Sequence, residues 1–221
     1  MRKAILAAVA MLVAAVNNSS QGAMQITEWA YQGAGGEYVE FTNTGSSAVD
    51  MTGWSFDDDS QIPGVFPLSG FGVVAPGESV ILTESTEADF RTAWSLAPSV
   101  KVVGGLTANL GRNDQINLFD GSTLVDSLTY GDQNFPGSIR TQNVTGNPIT
   151  LAALGTDIAY QWQLSYVGDA YGSYISNLGD IGNPGIGTYS VPEPSTVALL
   201  ILGSMALCAS GAKRIASRCA K

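Results

Sequence analysis

Short segments in which apolar and polar residues alternate are the feature that most constrains how this chain can fold. They recur about every ten to fifteen residues between residues 24 and 190, as in Glu37–Asn43, where Val39 and Phe41 share one face. A period of two is typical of a half-buried β-strand. Turn signals separate the segments, and Asp120-Gly121 between two alternating runs is a strong hairpin signal. The pattern predicts an all-β domain built as a two-sheet sandwich.

One segment carries a helical pattern instead. Thr86-Glu-Ala-Asp89 resembles a capping box with Asp in place of the usual Glu, and Phe90 and Trp94 lie four residues apart on one face. The spacing predicts one short helix whose two aromatic side chains seal an edge or an end of the sandwich.

Composition excludes several classes of chemistry. The chain of 221 residues has no histidine, so a Ser-His-Asp triad, a Cys-His pair and histidine metal ligands are excluded. Its 10 Lys and Arg oppose 19 Asp and Glu, a net charge of −9, so it cannot neutralise many phosphates and we expect no nucleic-acid partner. Both cysteines, Cys208 and Cys219, lie near the C-terminus, which leaves residues 24–190 without a disulfide or a thiol nucleophile.

The N-terminus has the pattern of a secretory signal. Arg2 and Lys3 precede the unbroken apolar run Ala4–Val16, and a small, polar stretch follows up to Ala23. The run has 13 residues, too few to span a hydrocarbon core of about 30 Å. This arrangement predicts a signal peptide over residues 1–23 and export through the inner membrane.

The C-terminus carries a second apolar segment. No residue from Pro194 to Ala212 is charged, and these 19 residues reach about 28 Å as a helix. They predict a transmembrane helix over residues 195–212 that anchors the exported domain. Basic residues behind the helix are expected to stop transfer and to stay in the cytoplasm. These residues are Lys213, Arg214, Arg218 and Lys221.

A short proline motif, Val191-Pro192-Glu193-Pro194, stands directly before this span. Its prolines cannot continue a strand or a helix, so we expect an extended, accessible peptide. The order of motif, apolar span and basic tail over residues 191–221 resembles the PEP-CTERM sorting signal of Gram-negative bacteria. The resemblance implies an exosortase partner that removes the tail, a transient membrane anchor, and a final location at the cell surface or outside the cell. The alternative is an ordinary membrane anchor with a proline stop.

A second resemblance covers the middle of the chain, which is similar to the lamin-tail domain. The match is best over residues 24–132, and a segment like Gly179–Gly185 often closes bacterial members, which extends the expected domain to about Gly187. We assign the domain to residues 24–190, the stretch between the two terminal signals. The resemblance implies an immunoglobulin-like β-sandwich with an interaction role and no catalytic site. Residues 133–178 match least well and could add strands or form a long loop. The motifs that carry the resemblance are Ile26-Thr-Glu-Trp29, Glu37-Tyr-Val-Glu-Phe41, Asn43-Thr-Gly45, Val49-Asp-Met-Thr-Gly-Trp54, Pro76-Gly77 and Asn113-Asp-Gln-Ile-Asn-Leu-Phe-Asp120.

The densest acidic cluster, Asp57-Asp58-Asp59, is a candidate calcium site. Adjacent carboxylates repel each other, and Ca²⁺ takes six to eight oxygen ligands. Asp57 and Asp59 are the better ligands if the strand continues through them, because alternate side chains share a direction. The EF-hand pattern is not met, since Gln61 and Ile62 occupy its fifth and sixth positions. The alternative is a solvated acidic turn at the end of a strand.

Three acids on early strands are the candidates for a hydrolase that uses two carboxylates. They are Glu28, Glu37 and Glu40. Such chemistry needs no histidine. Glu37 and Glu40 are three residues apart, however, so in a regular strand their side chains face opposite sides. That arrangement does not place both across one sugar.

Aromatic residues offer a further contact surface. Trp54 follows an apolar strand pattern and Trp94 lies on the predicted short helix, so both side chains are expected in the core. A later group, interleaved with small and polar residues, is the best candidate for contact with a polysaccharide or a protein, the alternative being edge strands of a twisted sheet. The group comprises Tyr160, Trp162, Tyr166, Tyr171 and Tyr174.

These observations favour a non-enzymatic, exported protein of the cell envelope or extracellular matrix. Its expected partners are an exosortase and, because exosortase systems tend to accompany exopolysaccharide production, an exopolysaccharide or other surface proteins. No cofactor is required. A calcium-dependent carbohydrate-binding module is the first alternative, and a carboxylate hydrolase is the second.

Overall fold

A computed structural model describes residues 24–189, which form fourteen strands and one α-helix. The signal peptide, sorting motif and C-terminal span predicted above lie outside these residues. Among the described residues no helix has the length and apolar character needed to cross a membrane. The strands are β1 Met24–Ala30, β2 Tyr38–Asn43, β3 Val49–Asp50, β4 Trp54–Asp57, β5 Phe66–Pro67, β6 Val73–Val74, β7 Ser79–Thr83, β8 Lys101–Val103, β9 Asp114–Asp120, β10 Thr123–Tyr130, β11 Gly146–Pro148, β12 Trp162–Leu164, β13 Tyr174–Ile175 and β14 Ile181–Gly182, and the helix α1 is Glu87–Trp94.

Two main sheets organise the strands. The larger has the order β12-β11-β1-β2-β7-β8, and the smaller has the order β10-β9-β4-β5. Neighbouring strands are antiparallel except for β7 and β8, which are parallel. Two short pairs, β13-β14 and β3-β6, complete the described sheets. The prediction of a mostly β fold with one short helix is therefore confirmed, and the arrangement is consistent with an immunoglobulin-like sandwich.

The main core lies between the two large sheets. Val39 and Phe41 of β2 meet Phe56 of β4 and Leu118 of β9, and all four side chains are completely buried. Trp29 of β1 belongs to the same cluster. The alternation seen in the sequence supplies this core, because every second residue of a strand points to the same face.

A second apolar cluster covers the outer face of the larger sheet. Tyr38 and Ile81, which alternate with core residues of β2 and β7, pack with Phe90 and Trp94 of α1. The Thr86 hydroxyl accepts a hydrogen bond of 3.1 Å from Asp89 N–H and caps the helix, which confirms the predicted start. The helix therefore lies on a sheet face, and the prediction that its aromatic side chains seal an edge or an end of the sandwich is wrong.

Residues after 132 are part of the same sheet. β11 pairs with the free edge of β1, and β12 pairs in turn with β11. Two single turns of 3₁₀-helix, Leu151–Ala153 and Ala159–Gln161, lie between β11 and β12. The stretch 133–178 thus supplies both strands and loops, which the sequence had left open.

Candidate functional site

Two of the three candidate carboxylates come together on adjacent strands. Glu28 of β1 and Glu40 of β2 are directly opposite in the antiparallel register, and both are completely buried. Side chains in such positions have Cβ atoms about 4.5–5.5 Å apart. The register shifts between Ile26 and Glu28, so Thr27 is an extra residue in β1. This bulge turns Glu28 away from the main core and towards Glu40.

Both carboxyl groups hold a segment from the C-terminal end of the domain, Ile181 to Tyr189, which we call the strap. Glu28 Oε1 accepts hydrogen bonds from Asn183 N–H at 2.7 Å and from the Thr145 hydroxyl at 2.6 Å. Glu40 Oε2 accepts a hydrogen bond from Gly185 N–H at 2.6 Å. The strap is therefore bound through its backbone to two acids of the central strands.

Burial dominates the electrostatics of the pair. It raises the pKa of Glu28 to about 8, with the charge of Glu40 as the next cause, and it raises the pKa of Glu40 to about 7. The ion pairs among residues 24–189 join Arg91 to Glu87, Lys101 to Glu78 and Arg112 to Asp132, and none of them includes the pair. Two carboxyl groups without a cation favour the protonated form.

A polar network anchors the end of the strap. The Tyr189 hydroxyl donates to Asn147 Oδ1 at 2.7 Å and accepts from the Asn183 amide at 2.9 Å. The Asn147 amide also donates to Ser165 Oγ, and Ser165 and Thr145 share a hydrogen bond of 2.6 Å. All of these side chains are buried. The network ties the strap to β11 and to the residue that follows β12.

The strap approaches the pair very closely at a glycine. A Cβ atom added to Gly182 would lie 2.7 Å from the Tyr38 hydroxyl and 2.8 Å from Glu28 Oε1. By hydrogen-bond geometry, neither the Tyr38 hydroxyl nor Glu28 Oε2 has a partner among the described residues. Immediately before the strap, Asp180 accepts hydrogen bonds from Ala34 N–H and Gly35 N–H at 3.0 and 2.8 Å.

The third candidate acid, Glu37, lies apart from the pair. The N–H of Leu110 is 2.9 Å from each of its carboxylate oxygens, and Glu37 is almost completely buried. Burial raises the pKa of Glu37 to about 8. Glu37 and Glu40 therefore serve different parts of the fold, in agreement with their predicted orientation to opposite sides.

The acidic turn has its own hydrogen bonds. Strand β4 ends at Asp57, whose Oδ2 accepts from the Ser60 hydroxyl at 2.7 Å and from Ile62 N–H at 2.5 Å. Asp59 lies in the exposed turn, so the strand does not continue through both residues. The described residues contain no group of three or more Asp, Glu, His or Cys side chains placed to hold a metal. Calcium binding at Asp57 and Asp59 stays a prediction.

The aromatic residues predicted to contact a polysaccharide or a protein differ in their exposure to solvent. Trp162 is buried on the edge strand β12, and the hydroxyls of Tyr171 and Tyr174 donate to the backbone oxygens of Pro148 and Trp94. Only Tyr160 and Tyr166 of the group are strongly exposed, at 54% and 59%. Trp54 and Trp94 are buried, as predicted. A binding surface built from the whole group is therefore reduced to two tyrosines.

Sequence analysis missed the residues that bind the carboxyl pair. Thr145 has no distinguishing pattern in the sequence, and Asn183 and Gly185 belong to the closing segment Gly179–Gly185. Asn183 lies 155 residues from Glu28 in the sequence, so no local pattern could connect the two. The available signal was Gly179–Gly185, whose glycines allow close backbone approach.

Comparison with protein families supports the resemblance noted in the sequence. The model of the Lamin Tail Domain family matches residues 17–132, slightly more than half of the chain. Comparison with curated proteins gave no match, and neither did comparison with solved structures.

Proposed function

The chain belongs to the lamin tail domain family, and from this premise we propose that it is a non-enzymatic binding or structural protein of the cell surface. The family favours an interaction role over catalysis. The proposal further includes export by the N-terminal signal, temporary anchoring by residues 195–212, and removal of the tail by an exosortase.

The observation that carries the non-enzymatic role is the use made of the buried acids. A glycosidase places two carboxyl groups on either side of an accessible sugar. Here Glu28 and Glu40 lie beneath the strap and accept hydrogen bonds from its backbone. The Glu37 carboxylate accepts a hydrogen bond from Leu110 N–H. The three acids therefore accept hydrogen bonds that stabilise the fold. This structural use of the carboxyl groups does not favour a carboxylate hydrolase.

The sorting part of the proposal is supported by the order of the C-terminal signals. Tyr189 is buried and bonded to the domain, and only Ser190 separates it from the motif that begins at Val191. The described part of the domain therefore reaches to within two residues of the proposed recognition motif. Removal of both the signal peptide and the tail would release residues 24–190, with four basic and eighteen acidic residues and a net charge of −14.

Mass spectrometry of the mature C-terminus tests the sorting proposal. The full chain would be expressed in a host that has an exosortase, and the protein recovered from the cell surface or medium would be measured intact. We expect mature copies to lack both Cys208 and Cys219. A Glu193→Ala variant is the matched control and should retain the tail. Recovery of Cys219 on all mature wild-type copies would contradict processing while leaving the family and the fold unaffected.

A further inference from the structure

The carboxyl pair has a hydroxyl path to the surface. Glu40 Oε1 accepts a hydrogen bond of 2.9 Å from Thr27, Thr27 and Thr42 share one of 2.8 Å, and Thr42 and Ser79 share one of 2.7 Å. Ser79 is partly exposed and lines a groove of about 330 Å³ together with the strap residues Gly185 and Ile186. A proton can therefore pass between Glu40 and water through three hydroxyl groups without opening the domain.

The strap is the cover that keeps water from the pair. Asn183 and Gly185 donate their N–H groups to the two carboxyls, and Gly182 of the strap lies so close to Glu28 that no side chain fits between them. The first residue of the strap, Ile181, is held by backbone hydrogen bonds with Asn143 and Thr145. Detachment of the strap would return both carboxyl groups to water.

Among the described residues, the titratable groups that face the pair are phenols. Tyr38 comes from β2, Tyr174 from β13 and Tyr189 from the strap. Burial raises the pKa of all three phenols, and the charges of Glu28 and Glu40 raise them further. Neutral phenols cannot balance a carboxylate. The facing groups of β1, β7 and Thr145, the residue before β11, are hydroxyls, and α1 presents aromatic rings to Tyr38.

Charged groups on the surrounding segments have other partners. Asp180 accepts hydrogen bonds from Ala34 N–H and Gly35 N–H, and Asp169 accepts hydrogen bonds from Ser173. Lys101 pairs with Glu78 at the groove. No basic residue within the described part of the chain forms an ion pair with Glu28 or Glu40. Loss of the protons from the pair therefore leaves uncompensated negative charge beneath the strap.

We propose that Glu28 and Glu40 form a proton-binding site that controls docking of the strap. With a proton bound, the pair carries at most one charge and both carboxyls hold the strap backbone. When the proton leaves through Thr27, Thr42 and Ser79, two carboxylates face each other across adjacent strands. Repulsion and the loss of hydration then favour the open form, in which water reaches both groups.

The direction of the effect follows from proton linkage. Because the folded pKa values lie above the ordinary value of 4.5, the docked state binds more protons than the open state between about pH 4.5 and about pH 8. Docking is therefore most stable at the acid end of this window and weakens as the pH rises through it.

Hydrogen exchange measured by mass spectrometry on the full chain in detergent micelles tests the proposal. Peptides covering the strap would be followed from about pH 5 to about pH 9, with rates corrected for intrinsic exchange, and compared with peptides covering β9 and β10. We expect the relative exchange of the strap to increase about tenfold or more, since one pKa unit corresponds to a tenfold change in a protonation equilibrium.

Substitution of the pair supplies the decisive comparison. The double change Glu28→Gln and Glu40→Gln retains amide oxygens as acceptors but cannot ionise, so the pH dependence of strap exchange should disappear. Glu37→Gln is the matched control, because Glu37 is also a buried acid with a raised pKa but binds Leu110. It should leave the strap response unchanged.

Two results would overturn the proposal. One is a strap exchange that stays constant with pH in the wild type while β9 and β10 remain protected. The other is an unchanged pH response in the double variant. If the double variant does not fold, as judged by exchange of β9 and β10, the single change Glu40→Gln must reduce the response, and a full wild-type response there would equally reject the site.

Discussion

At the scale of single residues, Gly182 leaves no room for a side chain beside the carboxyl pair. Any β-carbon there would press on the Tyr38 hydroxyl, on Glu28 and on the methyl group of Thr145, which is also 2.7 Å from the added atom. All three neighbours are completely or almost completely buried, so they cannot move aside easily. Glycine is required here because the strap backbone must reach the carboxyl pair.

We expect Gly182→Ala to destabilise the domain by about 1–3 kcal/mol, the usual cost of overpacking a filled interior. Chemical denaturation followed by tryptophan fluorescence would measure the change. Gly111→Ala is the control, because its nearest neighbour, the side-chain oxygen of Asp114, is 3.2 Å away and therefore farther than any of the three neighbours at Gly182. Equal effects of the two substitutions would argue against close packing of the strap.

At the scale of elements, a buried acid joins the two large sheets. Asp126 lies at the register shift of β10, and its Oδ2 accepts a hydrogen bond of 2.8 Å from Ile26 N–H at the bulge of β1. Its Oδ1 accepts from Ser127 N–H at 2.9 Å. Burial raises the pKa of Asp126 to about 6. The irregularities of β1 and β10 therefore meet, and one side chain satisfies a backbone donor of β1.

Asp126→Ala should cost about 1–3 kcal/mol, because it leaves the buried N–H of Ile26 without an acceptor. Asp126→Asn keeps an oxygen acceptor and should recover most of the loss. Denaturant midpoints of the two variants, with the exposed Asp120→Ala as a reference, provide the measurement. A loss no larger for Asp126→Ala than for Asp120→Ala would show that the bond between the sheets contributes nothing.

At the scale of the whole molecule, the folded unit extends well beyond the family match. The match ends at residue 132, but β11 and β12 complete the larger sheet and the strap covers its central acids. Without them, β1 would have an unpaired edge, and Glu28 and Glu40 would lose their hydrogen bonds to Thr145, Asn183 and Gly185. Residues 133–189 are therefore structural parts of the domain.

A fragment of residues 24–132 should not unfold cooperatively, whereas a fragment of residues 24–189 should. The shorter fragment loses the strand that pairs with β1 and the cover of one sheet face, and unpaired edges favour association. Circular dichroism melts with size-exclusion chromatography would compare the two. A monomeric 24–132 fragment with a cooperative melt would show that the extension is dispensable for folding.

Stability of the whole domain should fall as the pH rises from about 5 to about 8. Burial raises the pKa values of Glu28, Glu37, Glu40 and Asp126 in the folded state, so their contribution is complete below the unfolded pKa values and is lost as pH rises through the folded ones. A loss of about 2–3 kcal/mol would lower the Tm by about 5–10 °C. Thermal melts across this range measure how steeply the Tm falls with pH. The Glu37→Gln variant should show a less steep fall. A Tm that rises with pH would contradict the prediction.

How much of the site the sequence predicts depends on how local its signals are. The helix begins at Thr86 and carries Phe90 and Trp94, as its local pattern predicts. Strict alternation, in contrast, would place Glu28 on the same face as Ile26. The bulge at Thr27 turns Glu28 to the opposite face. Asp126, which accepts a hydrogen bond from Ile26 N–H beside this bulge, is 100 residues from Ile26 in the sequence. No spacing rule applied to β1 alone contains this information.

The sequence by itself determined the mostly β architecture and the short helix, because alternation and capping act between neighbouring residues. Its lack of histidine also excluded whole classes of catalysis. Only the tertiary structure decided what the acids do. Glu28 and Glu40 form a buried pair because the bulge in β1 places Glu28 on the same sheet face as Glu40. The strap, more than 140 residues away in the sequence, donates backbone N–H groups to both carboxyls. Such contacts depend on where distant segments meet, and that is a property of the whole fold.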